Sequence, residues 1–433
     1  MQSTGDTMLH SRNRKSPAGT RPIRLVMLLL PWLLLPGQVR GDEFRDVPLV
    51  ATLDAVQPQT GIVLWADNEA ARTAPIQLEY SYLYYGQIVS RGGEYDWRPL
   101  EKLLDRIAGR GHQAIIRWHD TYVGKPAGVP AYIASLPDYR PTHGKSENKP
   151  TEFPDWSHPE WQRFVFEFFT RFAERYDRDP RLAFVQVGFG LWSEYHIYDG
   201  PMQLGKTFPS MEYQAEFARH LARVFRETHW MISVDAAAEW GPFAQNEALR
   251  LLPFGVFDDS FNHKRHKAEN EPNWLVFGGD RWQRAPAGGE FSFFEKGDQQ
   301  RALAPRGPHG IPFEQQAAKF HVSFIIGDDQ PRFQTPERIR QAGQACGYRF
   351  RVMRLAVSHR STRVEIENRG IAPLYYDAYP TVDEIRSPTS LKGLLPGEIR
   401  AFDIPVHSDA PRLSITSDRL VPGQRIGYEA NLP

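Results

Sequence analysis

The sequence predicts an α/β chain in which a (β/α)8 TIM barrel is followed by an antiparallel β-sandwich. Three observations carry this expectation. Apolar, β-branched runs alternate with amphipathic stretches eight times across residues 57–345, the rhythm of buried parallel strands and their covering helices. At 433 residues the chain is long enough for such a barrel, about 250 residues plus insertions, and one further module. Past Tyr348 the texture changes to short alternating runs broken by turn signals such as Asn368-Arg-Gly370 and Pro396-Gly397, the pattern of a sandwich. The predicted organisation is a leader at 1–41, the barrel at 42–347 and the sandwich at 348–433.

The leader is basic at Arg12, Arg14, Lys15, Arg21 and Arg24, then apolar from Leu25 to Pro36. That apolar run is too short to span a bilayer and suits a signal-peptide core, with cleavage near Gly41. A secreted or periplasmic protein without stable membrane insertion is expected, an uncleaved membrane anchor being the alternative. Cys346 is the one cysteine, so no intrachain disulfide forms and the core must suffice. The 52 basic residues balance the 52 acidic ones, which argues against nucleic acid or an anionic membrane as partner.

The expected barrel strands are, in order, Gly61–Trp65, Ile76–Tyr85, Gln113–Trp118, the run beginning at Phe184, Trp230–Asp235, Phe254–Asp258, Pro286–Phe294 and His321–Gly327. Between them, Leu100, Leu103, Leu104 and Ile107 share one helical face, with Pro99 in the first turn. Residues 120–155, rich in Pro and Gly, read as a long functional loop. Ser157-His-Pro-Glu160 has the spacing of a capping box for a helix reaching Tyr176. Met211–Thr228, Gly241–Leu252 and Pro312–Phe320 read as helices, and Thr335 caps a closing one. The sandwich strands fall near Arg349–Val357, Thr362–Asn368, Leu374–Tyr379, Glu398–Val406, Arg412–Thr416 and Gln424–Ala430.

In such barrels the reacting side chains stand at the C-terminal strand ends. Polar residues there are Asp67 and Asn68, Tyr84 and Tyr85, Arg117 to Asp120, Glu194 to His196, Asp235, Asp258 to His263, Glu290, and Asp328 with Asp329. Glycosidic cleavage needs two carboxyl groups across one bond, a proton donor and a nucleophile or base. Glu194 and Glu290 end the fourth and seventh strands, on opposing sides of the barrel mouth. Glu194 lies among aromatic residues, surroundings that raise a carboxyl pKa. A purely structural Glu194 bonded to Arg117, and a Glu290 lost in a Gly288-Gly289 turn, are the competing readings.

Arg91-Gly-Gly-Glu-Tyr-Asp-Trp97, followed by Leu100, Leu104 and Ile116-Arg117, resembles the strand-two-to-three segment of clan A glycoside hydrolases, including family-42 β-galactosidases. Phe189-Gly-Leu-Trp-Ser-Glu-Tyr-His196 resembles their fourth-strand motif, and more closely that of secreted bacterial barrel proteins with a β-sandwich tail. The resemblance implies Glu194 as acid/base and Glu290 as nucleophile. The chain departs from it at Ser193, where the clan has Asn, and at Asp328-Asp329, where it has an aromatic residue.

The expected function is therefore retaining hydrolysis of an oligo- or polysaccharide. Arg117, Trp118, Asn68, Trp192, Tyr195, His196 and Asp328 are the expected substrate contacts. The alternative is a carbohydrate-binding or scaffold protein on a barrel that has lost part of its site. His119, His196 and His263 show no short ligand spacing, so neither metal nor cofactor is expected.

Overall fold

The computed structural model describes residues 43–433; the predicted signal peptide lies outside them. Eight parallel strands close into a barrel: β1 (Gly61–Trp65), β2 (Leu78–Tyr84), β3 (Gln113–His119), β4 (Leu182–Gln186), β5 (His229–Ser233), β6 (Gly255–Phe261), β7 (Ala287–Phe291) and β8 (Phe324–Ile326). β8 pairs back onto β1, with Ile325 opposite Ile62. Each strand falls within or beside a stretch expected from the sequence.

Alternation along these strands decides which side chains enter the barrel. Val63, Leu78, Tyr80, Ile115, Phe184, Met231, Phe257 and Phe324 fill its interior. The intervening Ile62, Leu64, Ile116, Val185 and Ile232 join the outer core against the helices. Gly288 of β7 faces inward with no room for a side chain, because a Cβ there would lie 2.4 Å from the Phe324 ring. β6 carries an irregularity between Asp258 and Phe261, a bulge of the kind that re-aims side chains at barrel rims.

The helices follow expectation in part. Arg98–Ala108 buries Leu100, Leu103, Leu104 and Ile107, and Pro159–Tyr176 lines the outer core with Phe164, Phe168, Phe169 and Phe172. The capping box at Ser157 does not form: His158 occupies the N-cap position, and Ser157 donates to Asp155 at 2.5 Å. The helix expected over Gly241–Leu252 shrinks to Glu247–Arg250. A helix at Lys264–Val276, with Pro272 inside it, had no amphipathic stripe to announce it. The 120–155 stretch is ordered as a short helix and a hairpin, Thr142–Ser146 against Lys149–Phe153. Its turn places Glu147 and Asn148 at φ 50° and 60°, the left-handed pair of a tight hairpin turn.

The C-terminal module has two sheets. One orders Ile399–Ile404, Thr362–Asn368, Phe350–Val357 and Tyr428–Leu432; the other, Ile385–Arg386, Tyr379–Val382 and Leu413–Thr416. Their inner faces share a core that includes Phe350, Ile366, Phe402, Val382 and Ile415. Two features depart from the sequence reading. Phe350–Val352 pairs with Tyr428–Ala430 in parallel. Arg45–Asp46 and Leu49–Ala51, expected within the barrel module, pair with the C-terminal sheet instead.

This module closes the N-terminal end of the barrel. Tyr376 joins the interior barrel cluster, its ring 6.2 Å from Phe184 and its hydroxyl donating to Ala183 O. Arg419 donates to the carbonyls of Leu182 at 3.0 Å and Asp177 at 3.2 Å. One end is plugged, which leaves the other to carry the polar strand ends.

Candidate active site

Arg117 is the centre of the open end. It follows Ile115 by two on β3 and so points inward, and it is 0% exposed. A buried guanidinium is stable only where its donors are satisfied. Nε donates to Gln186 Oε1 at 2.7 Å. Nη1 donates to Tyr82 Oη at 3.1 Å and Glu194 Oε1 at 2.9 Å, and Nη2 to Asp259 Oδ1 at 2.7 Å. The cation also rests 4.4 Å from the Phe257 ring centroid.

Glu194 reaches this point through a contorted loop. Trp192, Ser193 and Tyr195 have φ of 53°, 62° and 60°, the left-handed region that side-chain-bearing residues rarely adopt and that clusters at functional sites. Gly188 and Gly190 make the turn possible: a Cβ would lie 2.0 Å from Ser193 O in the first case and 2.3 Å from His196 O in the second. Ser193 Oγ donates to Trp118 O at 2.6 Å and Trp192 N to Thr121 O at 3.0 Å, tying the loop to β3. Glu194 Oε2 lies 3.2 Å from His196 Nε2.

Asp259 follows Phe257 by two and turns inward, whereas Asp258 turns outward to Asn270 at 2.6 Å. Glu290, on β7, completes the group: one oxygen each from Glu194, Asp259 and Glu290 lies within 4.8 Å of the other two. Three carboxyl groups sharing one guanidinium cannot all ionise cheaply. Burial pushes the Glu194 carboxyl well above its ordinary range, the Asp259 charge adding to this and Arg117 opposing it. Burial also raises Asp259, against the pull of Arg117. Glu290 is pushed up to about 8 by burial, with Arg117 opposing and Asp259 and Asp328 reinforcing. Asp235, beyond β5, rises to about 7 through burial and the neighbouring acids. Burial lowers His196 to about 4, so its ring is neutral near pH 7.

Beside the carboxylates a cavity of about 270 Å³ is lined by Trp65, Tyr82, Tyr84, His119, Tyr122 and Lys125, among others; it shares Tyr82 with the Arg117 network. Trp192, half-buried, lies nearly parallel to Tyr198 at 5.9 Å and edge-on to Tyr122 at 6.3 Å. These rings form an aromatic rim.

The structure thus gathers Glu194, Glu290, Arg117 and His196, with Trp192 at the rim. Other expected contacts require correction. Trp118 points outward, fully buried, with its ring 4.7 Å from Phe168 and 5.5 Å from Phe172. Tyr195 is equally buried, 5.5 Å from Phe189 and 6.2 Å from Phe243. Asn68 caps the turn Glu69–Arg72 through Ala70 N and donates to Asp328 Oδ1 at 2.8 Å. Asp328 also accepts from Trp65 N at 2.8 Å, so this pair fastens β1 to β8 and reaches the carboxylate cluster through its charge on Glu290. Asp259, within the strand-end run Asp258 to His263 but not singled out, and Tyr82 belong to the site as well; counting by two from Phe257 and Tyr80 finds both.

Among the described residues, two groups have ligand atoms close enough to share a metal: Glu194 with Asp259 and Glu290, and His263 with Asp298 and His309. The first already holds a guanidinium as counter-ion.

Fold and site together define a parallel-barrel protein with a buried, cation-centred carboxylate cluster at its mouth. No protein-family model and no curated protein matches the chain. Among solved structures it is similar to the galactosidase domain of an alpha-galactosidase-sucrose kinase, at 11% identity and TM-score 0.39, covering 81% of this chain and 54% of that one. The chain therefore spans about half the length of that protein. It is similar to a glycoside hydrolase family 5 enzyme from Prevotella bryantii B14, at 11% identity and TM-score 0.38, over 69% of this chain and 99% of that one. A third similarity is to the catalytic domain of a beta-amylase from Paenibacillus polymyxa, at 9% identity and TM-score 0.42, over 67% and 99%.

Proposed function

We propose that this protein is a glycoside hydrolase that cleaves its substrate by two carboxylates with retention. The observation that carries the reading is the convergence of Glu194 and Glu290, with carboxylate oxygens within 4.8 Å, at the open end of the barrel. One oxygen of each group thus comes close enough for both to act on a single bond, the close approach that a retaining mechanism needs. Glu194, held protonated by its burial, gives its proton to the leaving oxygen, and Glu290 attacks the anomeric carbon. Glu194 then takes a proton from the water that releases the sugar. Asp259 and Arg117 position Glu194 and fix the charge of the pocket. Asp259 Oδ2 is buried without a hydrogen-bond donor and serves as acceptor for a sugar hydroxyl. Trp192 offers a ring face to the apolar side of a sugar, and the basic, then apolar leader of residues 1–41 supports a reaction at the cell exterior or in the periplasm.

A second reading is favoured by one observation. Both Glu194 oxygens are already engaged, by Arg117 and His196, as in a protein that binds carbohydrate without cleaving it. Glu194→Gln separates the two. On a glycan that the wild type cleaves, the hydrolase reading expects turnover to fall about 10²–10⁴-fold, with binding and thermal unfolding retained. Undiminished turnover would refute the assignment, and a wild type that binds glycans but cleaves none supports the second reading.

A further inference from the structure

The segments after β6 and β7 bring together three ligating side chains distant in sequence, His263, Asp298 and His309. One ligand atom of each lies within 4.8 Å of the other two. His263 is 1% and Asp298 2% exposed. The Nε2 atoms of His263 and His309 are both buried without a hydrogen-bond partner. Burying one such nitrogen without a partner is costly, and two beside a carboxylate ask for a shared ligand. The two rings stand nearly perpendicular, 88° between planes and 5.2 Å between centroids, so no stacking accounts for their approach.

The carboxylate is held from behind. Asp298 Oδ2 accepts from Ser292 Oγ at 3.0 Å and Glu295 N at 2.9 Å, and Oδ1 from Arg301 at 3.2 Å. Outer partners of this kind orient ligating carboxylates. Glu295 Oε1, 3.4 Å from His263 Nε2, offers a fourth ligand atom from the solvent side.

We propose that His263, Asp298 and His309 form a binding site for a divalent transition-metal ion of zinc's class. Two imidazole nitrogens with carboxylate oxygens suit zinc and its neighbours, whereas calcium and magnesium take oxygen donors alone. Bonds of about 2.1 Å set tetrahedral ligand atoms about 3.4 Å apart, reached from the present spacing by small side-chain rotations. His263 Nδ1 now accepts from His266 N at a long 3.3 Å. Metal at Nε2 moves the ring proton to Nδ1 and trades this weak cap for the metal bond, while Lys267 N keeps its 2.7 Å bond to His263 O. The ion clasps the start of the Lys264–Val276 helix to the segment that leaves β7 just beyond Glu290. This role is separate from the proposed hydrolysis.

The test titrates the untagged full chain, stripped with a chelator, with zinc chloride in competition with a chromogenic chelator. One equivalent binds to the wild type and to Glu290→Gln. His309→Gln, a change in a half-buried loop residue, weakens binding on the order of tenfold or more, as does Asp298→Asn. Zinc raises the unfolding temperature of the wild type and not of His309→Gln, whose folding is checked by circular dichroism. No stoichiometric zinc in the wild type overturns the proposal, as does equal affinity in both ligand variants. Binding lost in Glu290→Gln but kept in His309→Gln also overturns it, because the ion then belongs to the carboxylate cluster.

Discussion

Glu194 and Asp259 take the two ends of one buried guanidinium, at 2.9 Å from Arg117 Nη1 and 2.7 Å from Nη2. The arrangement fixes two acids a short way apart and supplies one positive charge for them. A third acid, Glu290, joins the group without a guanidinium of its own, and burial pushes its carboxyl up to about 8.

Activity should therefore rise toward the alkaline side of neutral. In the proposed mechanism Glu290 attacks only when ionised, and burial pushes its carboxyl up to about 8. kcat/KM should rise with pH toward that value as Glu290 loses its proton. A flat profile from pH 5 to 9, measured on a cleaved glycan, would contradict the cluster's electrostatics.

Stability should move the opposite way. The Glu290 pKa is raised on folding from 4.5 to about 8, so the folded chain binds this proton more tightly. The contribution is whole below about pH 4.5 and lost as pH rises to about 8. Glu290→Gln removes the dependence, and by pH 9 it should unfold at higher denaturant than the wild type. The gain is on the order of 5 kcal/mol, read from paired urea curves at pH 5 and 9.

Arg117→Met should leave Glu194 and Asp259 buried without a counter-charge. Breaking a buried pair from one side costs about 3–5 kcal/mol, measured by urea unfolding near pH 8. Adding Asp259→Asn should restore part of that loss without restoring turnover.

Two neighbouring tryptophan positions should respond differently. Trp118→Ala opens a cavity in the outer core and costs about 3–5 kcal/mol of stability, with KM unchanged in the molecules that stay folded. Trp192→Ala should leave the unfolding temperature unmoved and raise KM roughly five- to tenfold, the worth of about 1 kcal/mol of ring contact.

The plug under the barrel offers a separate check. Tyr376 Oη donates to Ala183 O and accepts from His229 N at 3.2 Å. Tyr376→Phe should cost about 1–3 kcal/mol by orphaning those groups, with kcat/KM intact.

The barrel was legible because parallel strands are buried on both faces and spell uninterrupted apolar runs between glycines and prolines. Glu194, Glu290, Arg117 and His196 were legible as polar residues ending such runs. Trp118 was misread because neighbours on a strand point to opposite faces, so Arg117 facing inward sends Trp118 outward. Tyr195 was misread because the left-handed turn at Trp192 and Ser193 redirects the chain, and no local signal marks that turn. Asp259 hid beside Asp258, with the bulge of β6 between them and Phe261. The hairpin at 142–153 lacked a glycine in its turn and carried Pro150 in its second strand. His263, Asp298 and His309 are too far apart in sequence for spacing to suggest them.

The most direct test follows the anomeric configuration of the products by proton NMR across a glycan panel, with wild type, Glu194→Gln and Glu290→Gln in parallel. The account predicts that the wild type releases sugar with the substrate's own anomeric configuration and that both variants are silent. Inverted product, or hydrolysis that persists in Glu290→Gln, would contradict it.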